Sequence, residues 1–204
     1  MTYFTFLIAA LVLAVTPGPG MAYVVARTVA GGRKEGLASC VGTGLGGLFH
    51  VLAAALGLSL LLAQSALAFS LVKYVGAAYL IYLGVRLLMK KDQAEPGAPV
   101  IAQGARRAFL EGILVEALNV KTALFFLAFL PQFTQPGEPL AGQVLMLGGI
   151  CVALNTGVDV LAVLGATRLL KSQVGRAARA RLLRRLSGLT MLGLGAWLAL
   201  AKRS

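Results

Sequence analysis

The sequence predicts an all-α integral membrane protein with six transmembrane helices arranged as two inverted three-helix repeats. Three observations predict it. Of the 204 residues, 58% are hydrophobic and the mean hydropathy is +0.84; six apolar runs are long enough to cross a bilayer; and Lys and Arg gather in alternate connections between these runs. Charged residues make up only 13% of the chain, too few for a water-facing surface. Lipid is therefore the expected solvent.

The first half of the chain contains three apolar runs. A helix needs about 20 apolar residues to cross the hydrocarbon, where its backbone groups must be satisfied internally. The runs are Tyr3 to Ala26, Gly36 to Ala63, and Phe69 to Met89. The first has no basic segment before it and exceeds the length of a signal-peptide core, so we expect a retained helix.

The second half has three runs as well, Phe109 to Leu130, Leu140 to Thr167, and Leu186 to Ala201. Between the halves, the stretch from Lys90 to Arg107 is polar and rich in helix breakers, including Glu-Pro-Gly and Ala-Pro. We therefore divide the chain into a first repeat at residues 1–90, a cytoplasmic linker at 91–107 and a second repeat at 108–204, all within one membrane domain.

Basic residues predict the orientation of these spans. The connections at 27–35, 86–107 and 168–185 hold 15 of the 19 Lys and Arg residues, whereas those at 64–68 and 131–139 hold none. Since cytoplasmic loops retain Lys and Arg, the basic connections are expected inside a bacterial inner (cell) membrane and both chain ends outside the cytoplasm. Lys202 and Arg203 run against this assignment.

The net charge of +12 is thus explained by topology and by attraction to anionic inner-leaflet lipids. A nucleic-acid partner is not expected, because such binding needs basic residues on one soluble face with aromatics between them. Cys40 and Cys151 stand alone in apolar runs without metal-ligand spacing. No nucleotide-binding loop or catalytic motif is present. We expect no metal, no cofactor and no enzymatic activity.

An internal repeat is visible at an offset of 103 residues. Phe6 precedes Thr16-Pro17-Gly18 by ten residues, and Phe109 precedes Asn119-Val120-Lys121 by ten. Because each half has an odd number of spans, the second half enters the membrane from the opposite side. Inverted repeats of this kind are typical of secondary transporters.

The middle of the first run carries the first candidate site. Two prolines remove backbone donors and two glycines loosen the helix, which predicts a break. Broken helices at mid-bilayer expose backbone groups that can bind a substrate; an ordinary proline kink is the alternative. The candidate substrate-binding residues here are Thr16, Pro17, Gly18, Pro19 and Gly20.

The second half supplies Asn119 and Lys121 as further substrate-binding candidates. A lysine at that depth costs several kcal/mol unless a partner compensates, so it should face the bundle interior. Glu116, Asp159 (one turn after Asn155) and His50 are candidates for proton coupling. For each, a buried structural pair or a snorkelling side chain is the alternative reading.

Small residues are frequent on two of the runs. Gly42 and Gly46 have the GxxxG spacing that lets helix backbones approach closely, and Gly148-Gly149 is a second such place. Helix packing is the default explanation of these glycines. A homodimer through such a face is also possible.

Three stretches resemble the lysine exporter and homoserine/threonine resistance (LysE/RhtB) family of amino-acid exporters. They are TPGP at 16–19, GAAYLIYLG at 76–84, and NVKTALFF at 119–126 followed by LPQF at 130–133. The resemblance implies six spans in an inverted repeat and efflux of amino acids, in exchange for protons, by alternating access.

The chain departs from the family pattern in two places. The family usually has Asn-Pro-Lys where this chain has Asn119-Val120-Lys121, which predicts that span four continues unbroken at the point where span one is broken. Many relatives have an uncharged polar residue at Glu116, so an added acid here would favour a cationic substrate or alter proton coupling.

We therefore predict a secondary transporter that exports amino acids or close derivatives from the cytoplasm by proton antiport. The charged ends of the substrate would bind at the break and at Asn119 and Lys121, while Asp159 or Glu116 takes up a proton. Two rivals stay open: a membrane thiol-electron carrier, which needs paired reactive cysteines, and a passive ion or metal channel.

Overall fold

The computed structural model describes residues 3–64, 66–89, 101–135 and 137–169, together with 185, 188–189, 191–196 and 198–200. Across these described residues the regular structure is entirely helical. The predicted sixth span, the basic connection at 168–185 and most of the predicted linker at 91–107 lie partly or wholly outside the described residues.

The first predicted span is broken where the sequence indicated. Helix α1 covers Tyr3–Val15 and helix α2 begins at Pro19, a position at the start of a helix where the missing proline N–H costs nothing. The three residues between them are not helical. The predicted break in the first span is therefore confirmed, but it covers residues 16–18 where Pro17–Gly20 was predicted, because Pro19 and Gly20 already belong to α2.

Helix α2 (Pro19–Gln64) folds back on itself at Gly32, whose φ of 72° is favoured by glycine. Val24 and Cys40 share one buried cluster, although residues 16 apart in a straight helix are separated by about 24 Å. A Cβ on Gly36 would likewise touch the hydroxyl of Thr28. Both pairs are centred on residue 32, so α2 consists of two antiparallel segments. The expected nine-residue connection at 27–35 is reduced to a turn at one glycine.

The remaining helices follow in chain order. Helix α3 is Ala66–Met89, α4 is Ala105–Ala117, and α5 is Val120–Leu124. A π-helical turn, Phe125–Phe129, and a 3₁₀ turn, Leu130–Phe133, continue from α5. Helix α6 is Leu140–Leu169.

The prediction that span four is unbroken is wrong. Helix α4 ends at Ala117, α5 starts at Val120, and the two directions differ by 44°. The physical reason is Asn119, whose side chain accepts a hydrogen bond from the backbone N–H of Lys121 and so caps a new helix. A proline is not needed here, because an N-capping asparagine starts the second segment by itself.

Length and composition qualify several helices as membrane spans. Among the described residues, Leu140–Ala166 passes by itself, and Ala105–Ala117 with Val120–Phe133 passes as a bent pair. Pro19–Gly57 also passes, as a stretch that includes the turn at Gly32. Large apolar side chains such as Phe4, Leu56 and Leu161 are exposed on the outside of the bundle, which suits lipid contact. These helices and their apolar outer surface are those of a membrane protein.

Two kinds of contact hold the bundle together. An aromatic cluster joins α1 to the turns after α5: Phe6 and Phe133 meet edge to face at 5.4 Å between ring centroids, and Phe125 stacks on Phe129 at 4.8 Å. Glycines give close backbone contact elsewhere. Gly42 and Gly46 of α2 face the Phe109 and Ile113 carbonyls of α4. The packing interpretation of this GxxxG pair is confirmed.

Candidate functional site

The two helix breaks face each other inside the bundle. At the first, Thr16 closes α1 by donating its hydroxyl to the Val12 carbonyl at 2.6 Å. At the second, Asn119 caps α5. The ammonium of Lys121, in the first turn of α5, donates to the Thr16 carbonyl oxygen at 3.1 Å. A buried cation thus binds a carbonyl that the break in the first helix leaves free.

Glycines in the first break make room for charged side chains from the second. A Cβ on Gly18 would lie 2.8 Å from Nζ of Lys121, and a Cβ on Gly20 would collide with a carboxylate oxygen of Glu116. Any larger residue at either position would therefore displace the charged tip opposite it. The segment Thr16–Gly20, which covers the break and the start of α2, forms a surface against which Lys121 and Glu116 lie.

Glu116 is held by groups of its own half of the chain. Its two carboxylate oxygens accept hydrogen bonds from the Asn119 amide at 3.1 Å and from the Thr122 hydroxyl at 2.6 Å. Both donors are polar side chains beside the break, so the carboxylate keeps a fixed position next to the Lys121 side chain. Thr122 was not singled out by the sequence.

Asp159 lies on the opposite wall, on α6. Its side chain is buried, with 7% of the residue exposed, and it accepts a hydrogen bond from the Thr43 hydroxyl at 3.3 Å. Thr43 belongs to the glycine-rich stretch of α2. Asn155 and Thr156 line the same wall.

His50 is placed differently from the other candidates. Its Nε2 lies 2.7 Å from the backbone carbonyl of Glu116, a contact in which the ring nitrogen must donate because a carbonyl only accepts. The ring stacks near Phe126 at 6.3 Å. His50 therefore contacts the backbone of α4 and does not line the cavity that the carboxylates surround.

A small polar cavity lies between these groups, with a volume of about 30 Å³. It brings together residues of α1, α2, α4, α5 and α6. The sequence-predicted members that line it are Thr16, Gly18, Gly20, Asn119, Lys121, Glu116 and Asp159, and the polar members that the sequence missed are Thr43, Thr122 and Thr156. Pro17 and Pro19 shape the break without lining this cavity.

The cavity is too small for an amino acid. Its volume suits one or two waters, whereas sites for small organic ligands usually measure about 300–1,000 Å³. The structure is therefore a closed form of the site. A solute of amino-acid size requires the walls to separate.

A network of charges lies at the turn of α2 around Gly32. Arg27, only 7% exposed, pairs with Glu35 at 3.8 Å and with Glu111 at 3.5 Å. Glu111 also accepts from Arg107 at 2.8 Å and from the Tyr23 hydroxyl at 3.2 Å. This network ties the turn of α2 to α4.

Glu35 extends the network to the segment before α4. One of its oxygens accepts the backbone N–H groups of Gln103 and Gly104 at 2.9 and 2.7 Å. Arg27 donates to the Ile101 carbonyl at 3.2 Å. Nothing in the sequence singles out this network, because it joins residues far apart in the chain: Gln103 lies 68 residues after Glu35, and Ile101 lies 74 residues after Arg27.

The cysteines lie far apart in the bundle. Cys40 packs in a cluster with Val163 of α6, whereas Cys151 belongs to α6 itself and to the main core. Cys151 and Val163 are twelve residues apart in one helix, about 18 Å. A disulfide needs Cα atoms within about 7 Å. Across the described residues, no group of three His, Cys, Asp or Glu side chains forms a metal site.

Comparison with known proteins gives consistent results. The profile of the LysE type translocator family matches residues 11–202. A homoserine/homoserine lactone efflux protein of Salmonella typhimurium is 32% identical over 155 residues, covering 75% of this chain and 74% of its own length. An uncharacterized membrane protein of Vibrio cholerae is 31% identical over 206 residues, covering 98% of this chain and 97% of its own length. No solved structure matches.

Proposed function

Because this chain belongs to the LysE type translocator family, we propose that it is a secondary transporter that exports amino acids or close derivatives from a bacterial cytoplasm. We propose proton antiport as its mode of coupling. Members of this family are membrane transporters and not enzymes. Similarity to homoserine/homoserine lactone efflux proteins makes homoserine and its lactone the first substrates to test.

The observation that carries this proposal is the meeting of the two broken helices at a buried cation. Lys121 and two carboxylates, Glu116 and Asp159, line one cavity. A zwitterionic amino acid has one anionic and one cationic end. Its carboxylate would bind Lys121 and replace the Thr16 carbonyl as partner, while its ammonium would bind between the two acids.

The charge balance of the cavity suggests how protons are coupled. One lysine and two ionised carboxylates carry a net charge of −1, which is costly at this depth unless a proton or a cationic group compensates. The ammonium group of a bound substrate and a bound proton would compete to compensate this negative charge. Release of the substrate would then favour protonation of Asp159 or Glu116 from outside, and deprotonation toward the cytoplasm would restore the site.

An inverted three-plus-three repeat is supported by the positions of the two breaks. Under the 103-residue offset, the end of α1 at Val15 corresponds to Leu118, one residue after the end of α4 at Ala117. The hairpin at Gly32 supports antiparallel first and second spans. The basic connections would lie in the cytoplasm of the inner membrane, with both ends outside and residues 91–107 linking the halves.

Alternating access would open the two ends of the cavity in turn. In the proposed orientation, the Arg27–Glu35–Glu111 network closes the cytoplasmic end and the Phe6–Phe133 aromatic cluster closes the outer end. The ion pairs can be replaced by water when the halves separate. We therefore propose that the small polar cavity widens when this network opens, which admits the charged ends of the substrate.

The first experiment is efflux from proteoliposomes loaded with homoserine, lysine or leucine under an imposed proton gradient, with protein-free vesicles as the baseline. We expect gradient-stimulated efflux of at least one substrate. The Asp159→Asn and Glu116→Gln variants test coupling, and Glu138→Gln, an exposed acid outside the cavity, is the matched control. No efflux of any of the three substrates above the protein-free baseline would contradict export. Full gradient stimulation in both cavity variants contradicts the proton-coupling step.

The same assay separates the rivals. A Cys40→Ser/Cys151→Ser double variant should transport as well as the natural sequence, and loss of activity would favour thiol chemistry. Flux that ignores the gradient and does not saturate with substrate would favour a channel.

A further inference from the structure

A second, larger cavity lies on the other side of the helix break. Its volume is about 920 Å³, and it shares Gly18, Asn119 and Lys121 with the small polar cavity. It extends from the break along α3 toward Arg86 and Met89, near the last residue of that helix. In the proposed orientation this end is cytoplasmic.

One face of α3 supplies most of the wall of this groove. Tyr79, Tyr82, Arg86 and Met89 are spaced three and four residues apart, so they share a face of the helix. The opposite face is already packed, since Gly84 contacts the backbone of Gly188. The groove face of α3 is therefore distinct from its packing face.

The charges of the two cavities have opposite sign. The charged residues that line the groove are Arg86 and Lys121, and its described lining includes no carboxylate. The small cavity contains both carboxylates. Among the described lining residues, Lys121 is the one charged residue common to the two. An amino acid that reaches Lys121 through the groove would present its carboxylate first, because both cations attract it.

We propose that this groove is the access path and side-chain subsite of the transporter, and that it accepts carboxylate-bearing molecules with an apolar body. This inference rests on the proposed function and names the substrate class of the same site. Arg86 binds the carboxylate at the cytoplasmic end, Lys121 receives it at the break, and the apolar body lies against Tyr82 and Val85. The tyrosine rings supply apolar surface and a hydroxyl at its edge.

The size of the groove explains how a closed polar cavity serves a larger substrate. A volume of about 30 Å³ suits one or two waters, whereas the groove has the dimensions of a small-molecule site. Only the charged ends of the substrate need to enter the polar cavity. The continuity of the two at Lys121 argues for substrate in the groove rather than a lipid acyl chain.

The first test fills the groove. Val85→Trp in the full-length protein should lower the ratio of leucine efflux to homoserine efflux by at least about fivefold, because the indole occupies space needed by the larger side chain. Leu161→Trp, on an exposed face of α6, is the control and should keep the natural ratio. An unchanged ratio in Val85→Trp overturns the subsite and indicates a lipid-filled groove.

The second test removes the carboxylate contact. Arg86→Gln should raise the half-saturating concentration of homoserine about tenfold, but that of homoserine lactone by less than about twofold, because the lactone lacks a free carboxylate. Arg86→Lys should restore much of the homoserine affinity. Equal effects on both substrates, or none, overturn the role of Arg86. If the natural protein moves neither substrate, the proposed function itself fails, and that result is distinct from both outcomes.

Discussion

The Nζ atom of Lys121 donates a hydrogen bond to the carbonyl oxygen of Thr16, 105 residues earlier in the chain, at 3.1 Å. This contact joins the two broken helices at the point where each has lost its regular backbone pairing. A buried lysine requires such a partner, and a carbonyl is a neutral one. Substrate carboxylate would bind the same ammonium more strongly than the carbonyl does, since a hydrogen bond between two charged groups is stronger.

Replacement of Lys121 by Met should abolish substrate recognition while preserving the fold. The methionine fills a similar volume, and Glu116 keeps its hydrogen bonds from Asn119 and Thr122, so the bundle should still assemble. We expect efflux to fall about 10- to 100-fold, as expected for the loss of a charged hydrogen bond worth about 1.5–3 kcal/mol. Proteoliposome efflux and size-exclusion elution in detergent are the measurements.

Lys34→Met is the matched control, because Lys34 is an exposed lysine at the turn of α2. It should transport as the natural protein does. An efflux rate for Lys121→Met equal to that of the natural protein would show that this lysine does not bind substrate.

The Gly18→Ala substitution tests whether the break positions Lys121. The added Cβ would lie 2.8 Å from Nζ and 3.0 Å from Cε, so the ammonium must move from the Thr16 carbonyl. The displaced atoms are the tip of a flexible side chain, and the fold should therefore tolerate the change. We expect about tenfold less efflux and a melting temperature within about 2 °C of the natural value.

Gly149→Ala is the control for Gly18→Ala, since a Cβ on Gly149 would meet nothing within 4 Å. It should leave efflux intact. If Gly18→Ala transports like Gly149→Ala, the contact between the break and Lys121 has no part in transport.

The position of the first helix break could be predicted from its prolines. The second break could not, because it depends on a capping side chain. Pro17 and Pro19 cannot support a continuous helix, so the break in span one is dictated locally. Asn119 was visible as a polar residue at the equivalent position, but its capping of α5 depends on a rotamer. The absence of a proline at Val120 therefore suggested a straight helix, and the capping asparagine overrode it.

The Arg27–Glu35–Glu111 network could not be predicted for a different reason. These residues are interfacial charges by sequence, and their pairing depends on the turn at Gly32 and on how α4 packs against α2. Thr43 is similar: its hydroxyl reaches Asp159 because neighbouring glycines bring α2 close to α6. Rotation of a helix about its axis sets such contacts, and nearly uniform apolar runs do not reveal it.

Arg27→Gln should open the cytoplasmic end of the site. The change removes the cation that Glu35 and Glu111 share. Glu111 keeps Arg107, but Glu35 is buried and loses its cation, which favours separation and hydration of the network. The measurement is labelling of Asn155→Cys in inverted vesicles by a membrane-impermeant maleimide, in a Cys40→Ser/Cys151→Ser background. We expect labelling to be about fivefold faster than with Arg27 present.

Arg33→Gln provides the control for this change, because Arg33 is an exposed arginine at the same turn and carries the same charge. It should not alter labelling. Equal labelling rates in the two arginine variants would show that the network does not close the cytoplasmic end.

Gly42→Ala should destabilise the bundle without acting on the site directly. An added Cβ would collide with the carbonyl oxygen of Phe109 and lie 3.2 Å from the Cα of Gly112. Both neighbours are backbone atoms, so α2 and α4 must move apart. Overpacking of this kind costs about 1–3 kcal/mol, enough to lower the melting temperature in detergent by several degrees.

Gly57→Ala, where a Cβ meets nothing within 4 Å, should leave the melting temperature unchanged or raise it slightly through helix propensity. A natural melting temperature for Gly42→Ala would mean that the two backbones are not in close contact, and the position of Glu116 and Lys121 opposite the first break would then need another support.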